Sequence, residues 1–192
     1  MTYPMTLDDG AAPKRGRRKI LFALGWILAV LVCGAAILPE LPVNYLTISG
    51  EQGVVLASPL SGGRPFITAY IHSVQLTPVI DEYRIVQGKI WGWEERVKSH
   101  NAGLPFSAPE HGRFIMAPPW MIVQGGRRAE ERIAYRVGNA ELGRNTWLLP
   151  PFGELPAYTL FASNRVYIEA SVKKFSDAPL MGWPRAADIP PR

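Results

Sequence analysis

A run of nineteen residues without a charged side chain, Ile20 to Leu38, constrains this chain more than any other feature. As an α-helix rising about 1.5 Å per residue, the run would be roughly as long as the ~30 Å hydrocarbon core of a bilayer is thick. Pro39 follows directly and ends it. The run therefore predicts a transmembrane helix, with a separate folded domain after it.

The residues before the run orient the helix. Five cations stand there: Lys14, Arg15, Arg17, Arg18 and Lys19. The positive-inside rule then places the N-terminus in the cytoplasm and the C-terminal domain in the periplasm or the extracellular space. We therefore expect a single-pass protein of the inner (cytoplasmic) membrane. Its predicted parts are a basic tail (1–19), an anchor (20–38), an extracytoplasmic domain (40–175) and a Pro-rich tail (176–192).

Two other interpretations of the run compete with a retained anchor. Small residues at Gly34–Ala36 could precede a signal-peptide cleavage site, although the run is longer than the ~7–15 residues of a usual signal core. A buried helix of a soluble core is the other alternative, against which the flanking cations and Pro39 argue. Anchor and signal peptide both place the domain outside the cytoplasm.

The charge and the cysteine content limit which partners and which stabilising bonds the domain can have. The formal net charge is +5, and the tail before Ile20 supplies +3 of it, five cations against Asp8 and Asp9. The remaining +2 gives no argument for nucleic-acid binding. Cys33 is the single cysteine, so an intramolecular disulfide is impossible and the domain must hold by burial and hydrogen bonding.

The rest of the chain has the pattern of short strands separated by turns. Alternating or β-branched segments predict strands, and the segment 79–98 predicts an antiparallel hairpin turning at Gly88–Lys89. In the second strand of this hairpin, alternation places Trp91, Trp93, Glu95 and Val97 on one face. The predicted strands are 44–49, 54–57, 66–74, 79–87, 90–98, 132–137, 145–149, 157–161 and 166–172.

Other segments lack strand periodicity. Prolines and glycines predict loops over 58–65 and 99–119, and the second of these is long enough to suggest a functional loop. Residues 124–134 fit either a short helix or a charged turn. With many short strands and connections too short for repeated βαβ units, we expect a mainly-β domain, either an antiparallel β-sandwich or a partly open barrel.

The first candidate functional segment contains His72, Ser73, Thr77, Pro78 and Glu82. His72 and Ser73 are neighbours at the end of a strand and point to opposite faces, so their adjacency makes no nucleophile–base pair. The same holds for Asp81 and Glu82 as an acid/base pair. The plainest interpretation of His72 is a partly buried histidine that is hydrogen-bonded to a carboxylate or a backbone oxygen and shapes the Thr77–Pro78 turn. A role in ligand binding is the alternative.

A metal site is a further alternative for His72. It would join this histidine to Asp81 or Glu82, with His100 or His111 from the long loop. Ligand-spacing signatures such as His-x-x-x-His are absent. We therefore expect no resident metal, no cofactor and no catalytic residues.

The second candidate segment is Asn101, Gly103, Leu104 and Pro105. Gly103 can adopt a positive φ and Pro105 fixes the direction in which the chain leaves, which indicates a shaped turn. Trp91, Trp93 and Trp120 fit core positions or a membrane-facing rim better than a stacking platform for sugars.

Together the two segments resemble the bacterial domain-of-unknown-function family numbered 1850. The resemblance rests on His72–Val74, Thr77–Val79 and Glu82, then Ala102–Pro105, and would cover about 43–172. Members tend to have glycine where this chain has Asn101, a mild departure because Asn also tolerates positive φ. The resemblance implies a β-rich body behind an N-terminal apolar segment. It also implies an accessory role beside TRAP-type solute transporters of the TAXI subclass, which take up organic acids, and it implies no catalytic residues.

The leading functional hypothesis is therefore a membrane-anchored, non-enzymatic accessory protein of such a transporter. Its partners would be the transporter's membrane subunits or its solute-binding protein. The rival hypothesis is an enzymatic, metal-binding or ligand-binding β-domain centred on His72.

Overall fold

The structure is a computed structural model that describes residues 14–51, 53–60, 63–99, 104, 107–126 and 129–178. The chain divides into two compact units, Met1–Glu40 and Leu41–Arg192. We call the second the β-unit.

The first unit contains the apolar run as one long helix. Helix α1 spans Lys14–Ile37, and a single 3-10 turn, Leu38–Glu40, follows it. The segment Lys19–Glu40 has a mean hydropathy of 2.7 and is 0% buried within the structure. This helix is long and apolar enough to cross a membrane, and a membrane anchor and a signal sequence both fit it.

The β-unit is built from twelve strands and one short helix among the described residues. Strand content rather than helix content therefore defines its class, as the sequence predicts. The strands are β1 (Pro42–Gly50), β2 (Gly53–Leu60), β3 (Phe66–Ile71), β4 (Pro78–Val86), β5 (Lys89–Val97), β6 (Gly112–Ala117), β7 (Trp120–Gly125), β8 (Ala129–Glu130), β9 (Arg132–Arg136), β10 (Thr146–Leu149), β11 (Gly153–Leu155) and β12 (Arg165–Lys174), and the helix is α2 (Ala157–Leu160).

These strands form two antiparallel sheets. The four-stranded sheet has the order β2-β1-β12-β9, and the eight-stranded sheet has the order β11-β10-β3-β4-β5-β7-β6, with β8 pairing beside β5. The mainly-β prediction is confirmed, and two separate sheets agree with the sandwich alternative rather than with a closed barrel.

The main core lies between the sheets. Leu46 and Ile168 from the smaller sheet, and Phe66, Ile85 and Trp147 from the larger one, belong to one cluster of buried side chains. Trp147 is 1% exposed, and its ring lies 5.5 to 6.2 Å from three other aromatic rings, those of Phe66, Tyr135 and Phe161. Burying such large apolar surfaces supplies most of the driving force for folding in a domain without disulfides.

The turn between β4 and β5 contacts the smaller sheet through Gly88. Its backbone N–H donates to Asn44 Oδ1 at 3.1 Å. Gly88 has φ +70, and a Cβ added there would lie 3.1 to 3.3 Å from backbone atoms of Ser171 and Val172 on β12. Glycine is required at this turn by both its conformation and the close approach of the other sheet.

Several predicted boundaries are wrong. Residues 58–60, predicted as loop, extend β2, because Ser58 and Pro59 pair with β1. Strand β3 ends at Ile71 rather than at residue 74, because the chain turns at His72. Strand β6 lies inside the predicted long loop, where six residues between prolines were too few to show periodicity.

Two segments have a different structure from the predicted one. In place of a helix or charged turn over 124–134, the described residues form the end of β7, then β8 and the start of β9. Residues 157–160, predicted as part of a strand, form α2, although their composition is β-like. Beyond β12 a 3-10 turn spans Phe175–Asp177 and Ala178 is 7% exposed, while the rest of the predicted tail, 179–192, lies outside the described residues.

Candidate functional site

The first candidate segment forms the turn between β3 and β4, and His72 organises it. Nδ1 of His72 accepts hydrogen bonds from the backbone N–H groups of Val74 and Gln75, both at 3.2 Å. Two backbone bonds close the same turn, from His72 N to Thr77 O and from Leu76 N to His72 O, each at 2.9 Å. A neutral ring that accepts on Nδ1 carries its proton on Nε2. His72 therefore shapes the turn, as the plainest sequence interpretation predicts, but Nδ1 of its ring accepts from backbone N–H groups, whereas a bond to a carboxylate or a backbone oxygen was expected.

This turn exposes apolar side chains at its tip. Val74 is 67% exposed and Leu76 is 75% exposed. Leu76 adopts φ 54, which is uncommon for a branched residue and is held here by the hydrogen bonds of the turn. Ser73 is exposed beside them, and Pro78 starts β4. The tip is thus a small apolar surface of fixed shape.

The two candidate segments meet at one point. Leu104 is 7% exposed and packs in a cluster with Val79, Val97 and Met121. Val79 directly follows Pro78, so the packing brings the second segment against the start of β4. The other members of that segment, Asn101, Gly103 and Pro105, lie outside the described residues.

Glu82 lies away from the turn, on the outer face of the eight-stranded sheet. We define this face by a row of directly paired residues on β3 to β7: Ile67, Glu82, Glu94, Gln124 and Arg113. Four residues of strand, about 13 Å, separate Glu82 from Pro78. The predicted set of site residues is therefore split between a turn and a sheet face.

The carboxylates of the outer face are held by neighbouring side chains. Arg84 Nη2 lies 2.5 Å from Glu82 Oε1, and Arg96 Nε pairs with Glu94 Oε1. Gln124 Nε2 donates to the second oxygen of Glu94 at 3.0 Å. Glu94 is only 8% exposed, and charged groups so deeply buried require such partners.

A groove of about 460 Å³ opens on the same side of the sheet. Its floor contains Trp91 and Trp93, 43% and 44% exposed, and its walls include His111, Arg113 and Gln124. Trp91 and Trp93 are two residues apart and lie on the same side by alternation. Tyr83 pairs with Gly92 and Glu82 with Glu94, so Trp93 is an extra residue, and this bulge places Glu95 and Val97 on the opposite face. The prediction that Trp91 and Trp93 share a face with Glu95 and Val97 is wrong for this reason.

The next row of residues lies on the inner face and is also polar. Thr68, Asp81 and Glu95 are directly paired across β3, β4 and β5. Burial raises the pKa of the nearby Tyr70 hydroxyl to about 12, and the negative charges of Asp81 and Glu95 add to this shift. Burial likewise raises the pKa of Tyr135, whose hydroxyl accepts a hydrogen bond from Asn145 Nδ2 at 2.9 Å.

The rival metal site is not assembled among the described residues. No group of three or more His, Cys, Asp or Glu side chains in that part of the chain is placed to hold a metal ion. Asp81 and Glu82 lie on opposite faces of the sheet, and Nδ1 of His72 is used by the turn. His111 is 88% exposed at its side chain, 3.5 Å from Glu110, and His100 lies outside the described residues.

Sequence reasoning missed Glu94, Arg113 and Gln124. Glu94 was missed because the face on which it lies depends on the bulge at Trp93, which alternation within β5 does not reveal. Arg113 and Gln124 were not recognisable, because the strands that carry them, β6 and β7, were not predicted.

Comparison with known families supports the resemblance stated from the motifs. Residues 66–149 match the family model described as "Domain of unknown function (DUF1850)", a shorter span than the expected 43–172. The matched residues run from the start of β3 to the end of β10 and so include the His72 turn, both polar rows and the groove. The chain has no significant match among curated proteins. It has none among solved structures.

Proposed function

We propose that this chain is a membrane-anchored, non-enzymatic accessory protein of a TRAP-type solute transporter of the TAXI subclass. One observation carries the membrane part of the proposal: helix α1 is charge-free from Ile20 to its end at Ile37, and its apolar side chains are exposed. The β-unit begins directly after Glu40. An inserted helix would therefore hold the β-unit at a membrane surface, on the extracytoplasmic side according to the basic tail.

The β3–β4 turn is the surface we assign to the transporter's membrane subunits. Exposed apolar residues such as Val74 and Leu76 are costly to leave in water and gain from burial at an interface. Because His72 and the backbone bonds fix the turn, little ordering is needed when a partner binds. Ser73, Thr77 and Pro78 belong to the same turn, and Leu104 supports its base.

Co-purification with the transporter tests this assignment. The full-length chain, tagged at its C-terminus and extracted in mild detergent, should recover the membrane subunits. A Val74→Ser, Leu76→Asn double variant should lose them, since asparagine keeps the positive φ of residue 76 and removes its apolar surface. Val86→Ser is the matched control, because Val86 is 49% exposed and ends β4 at the opposite end of the strand from the turn.

Transport assays provide the second readout. Deletion of the chain should reduce uptake of the transported organic acid, and the double variant should reproduce the deletion. If the transporter is not recovered and uptake is unchanged on deletion, the proposal is wrong.

Topology is tested with the single cysteine. Cys33→Ser combined with Ser107→Cys places one thiol at an exposed position of the β-unit. A membrane-impermeant maleimide should label it in intact spheroplasts, and the mass of the purified chain should include residues 1–40. Labelling only after lysis would contradict the orientation, and a mass lacking the N-terminal residues would indicate a cleaved signal.

A further inference from the structure

The groove lined by Trp91 and Trp93 has the size and chemistry of a small-molecule site. Its volume of about 460 Å³ falls in the range of roughly 300–1,000 Å³ that is usual for ligand pockets. We propose that it binds a small organic acid in which a carboxylate is attached to a ring. This inference concerns a different surface from the β3–β4 turn and does not require a transporter as partner.

The floor of the groove selects for a ring. Trp91 and Trp93 are separated by one residue on β5, and both indoles line the groove. Each is more than 40% exposed, a large amount for tryptophan. Flat faces of this kind stack against aromatic rings or against the C–H face of a sugar ring.

The wall of the groove selects for a negative charge. Arg113 is exposed on β6, and among the described residues it has no carboxylate or hydrogen-bond partner. The arginines on the same sheet face differ, since Arg84 and Arg96 are each paired with a glutamate. A guanidinium binds a carboxylate through two parallel hydrogen bonds, so a carboxylate is the acid group that fits Arg113 best.

The backbone of the wall is held in place by close packing. Gly126 has φ +68, and a Cβ there would lie 2.2 Å from Glu110 O. The segment that carries His111 and Arg113 therefore packs tightly against the end of β7. Gln124 is fixed by its hydrogen bond to Glu94. Binding therefore needs little ordering of the backbone or of Gln124, and the ordering cost falls on the side chain of Arg113.

Calorimetry on the full-length chain in detergent micelles tests the proposal. Benzoate and D-glucuronate are the two acid probes, and benzamide and D-glucose are their uncharged counterparts. At least one acid should bind, with an affinity about tenfold or more above that of its counterpart, as a charge-assisted hydrogen bond predicts. Which acid binds identifies the ring as aromatic or as a sugar.

Variants separate the two halves of the site. Arg113→Ala should remove the preference for the acid, whereas Arg136→Ala, which changes an exposed arginine on β9, should not. Trp91→Ala and Trp93→Ala should weaken acid and counterpart alike, and Trp91→Phe should restore part of the affinity. Trp120→Phe is the aromatic control, because Trp120 is not among the residues that line the groove.

Two outcomes would overturn the inference. If neither acid binds to the folded wild-type chain, the groove is not a site for ring-bearing acids and the inference is wrong. Binding that is unchanged in Arg113→Ala and in both tryptophan variants would place the acid elsewhere on the molecule.

Discussion

Glu82 on β4 lies directly across from Glu94 on β5, on the outer face of the eight-stranded sheet. Like charges in direct cross-strand register destabilise a sheet unless other groups offset them. Here each glutamate pairs with the arginine two residues further along its own strand, Arg84 or Arg96, and Gln124 donates to Glu94 from β7. The carboxylates are thus held in place beside the tryptophan groove.

Removing Arg96 should therefore cost more than an ordinary surface substitution. Arg96→Met leaves the Glu94 carboxylate, 10% exposed, without its charged partner, and we expect a loss of about 1–3 kcal/mol in the free energy of unfolding. Urea unfolding of the full-length chain in detergent measures this. The double variant Arg96→Met, Glu94→Gln should recover much of the loss, because the unpaired charge is then gone. Equal losses in single and double variants would contradict this explanation.

The raised pKa of Tyr70 predicts that the β-unit loses stability at alkaline pH. Burial, with Asp81 and Glu95 adding to it, raises its pKa from 10.0 to about 12 in the folded state. Between pH 10 and 12 the unfolded chain loses this proton and the folded chain keeps it, so the free energy of unfolding falls as the pH rises. Below pH 10 both states are protonated and the contribution is constant.

Urea unfolding at a series of pH values checks the role of Tyr70. Tyr70→Phe should show a shallower fall in stability above pH 10 than the wild type, because one of the groups that titrate only in the unfolded state is absent. The remaining slope should reflect Tyr135 and Tyr45, whose pKa values burial also raises. Identical slopes in variant and wild type would show that Tyr70 ionises equally in both states.

The two sheets are joined at Gly88, and a methyl group there should separate them. Gly88→Ala combines a left-handed backbone conformation with contacts of 3.1 to 3.3 Å to β12, and we expect destabilisation of about 1–3 kcal/mol. Gly50→Ala is the matched control, since a Cβ added at Gly50 would meet no described atom within 4 Å and Gly50 has no positive φ. Thermal unfolding of the two variants measures the difference. Equal effects would mean that the approach to β12 carries no cost.

The sequence predicted those parts of the fold that alternation alone determines. The β4–β5 hairpin is an example, because apolar residues stand at three of four alternate positions in each strand (Val79, Tyr83 and Ile85; Trp91, Trp93 and Val97) and a glycine stands at the turn. Alternation could not predict the bulge at Trp93, because an extra residue in one strand is recognised only against its partner. The same limit hid Glu94, whose face depends on that bulge.

Strands inside Pro- and Gly-rich sequence were also beyond prediction. Strand β6 has six residues, and its pairing with β7 rather than its own composition makes it a strand. Helix α2 was predicted as part of a strand because residues 157–160 have β-like composition. These residues instead fold as one helical turn beside the core, with Ala157 buried and Leu160 packed against the main cluster. The groove could not be predicted because its walls come from these unpredicted strands.

His72 offers the most direct test of a sequence-predicted residue. His72→Ala removes the acceptor for the backbone N–H groups of Val74 and Gln75, and we expect a loss of about 1–2 kcal/mol in stability with faster hydrogen exchange at those two amides. His72→Asn should retain part of the protection, because its side-chain oxygen can also accept from backbone groups two or three residues on. The affinity of the groove for ring-bearing acids should not change in either variant, since His72 does not line it. Unchanged exchange at both amides in His72→Ala would show that the turn holds without the histidine, and the residue would then be free for another role.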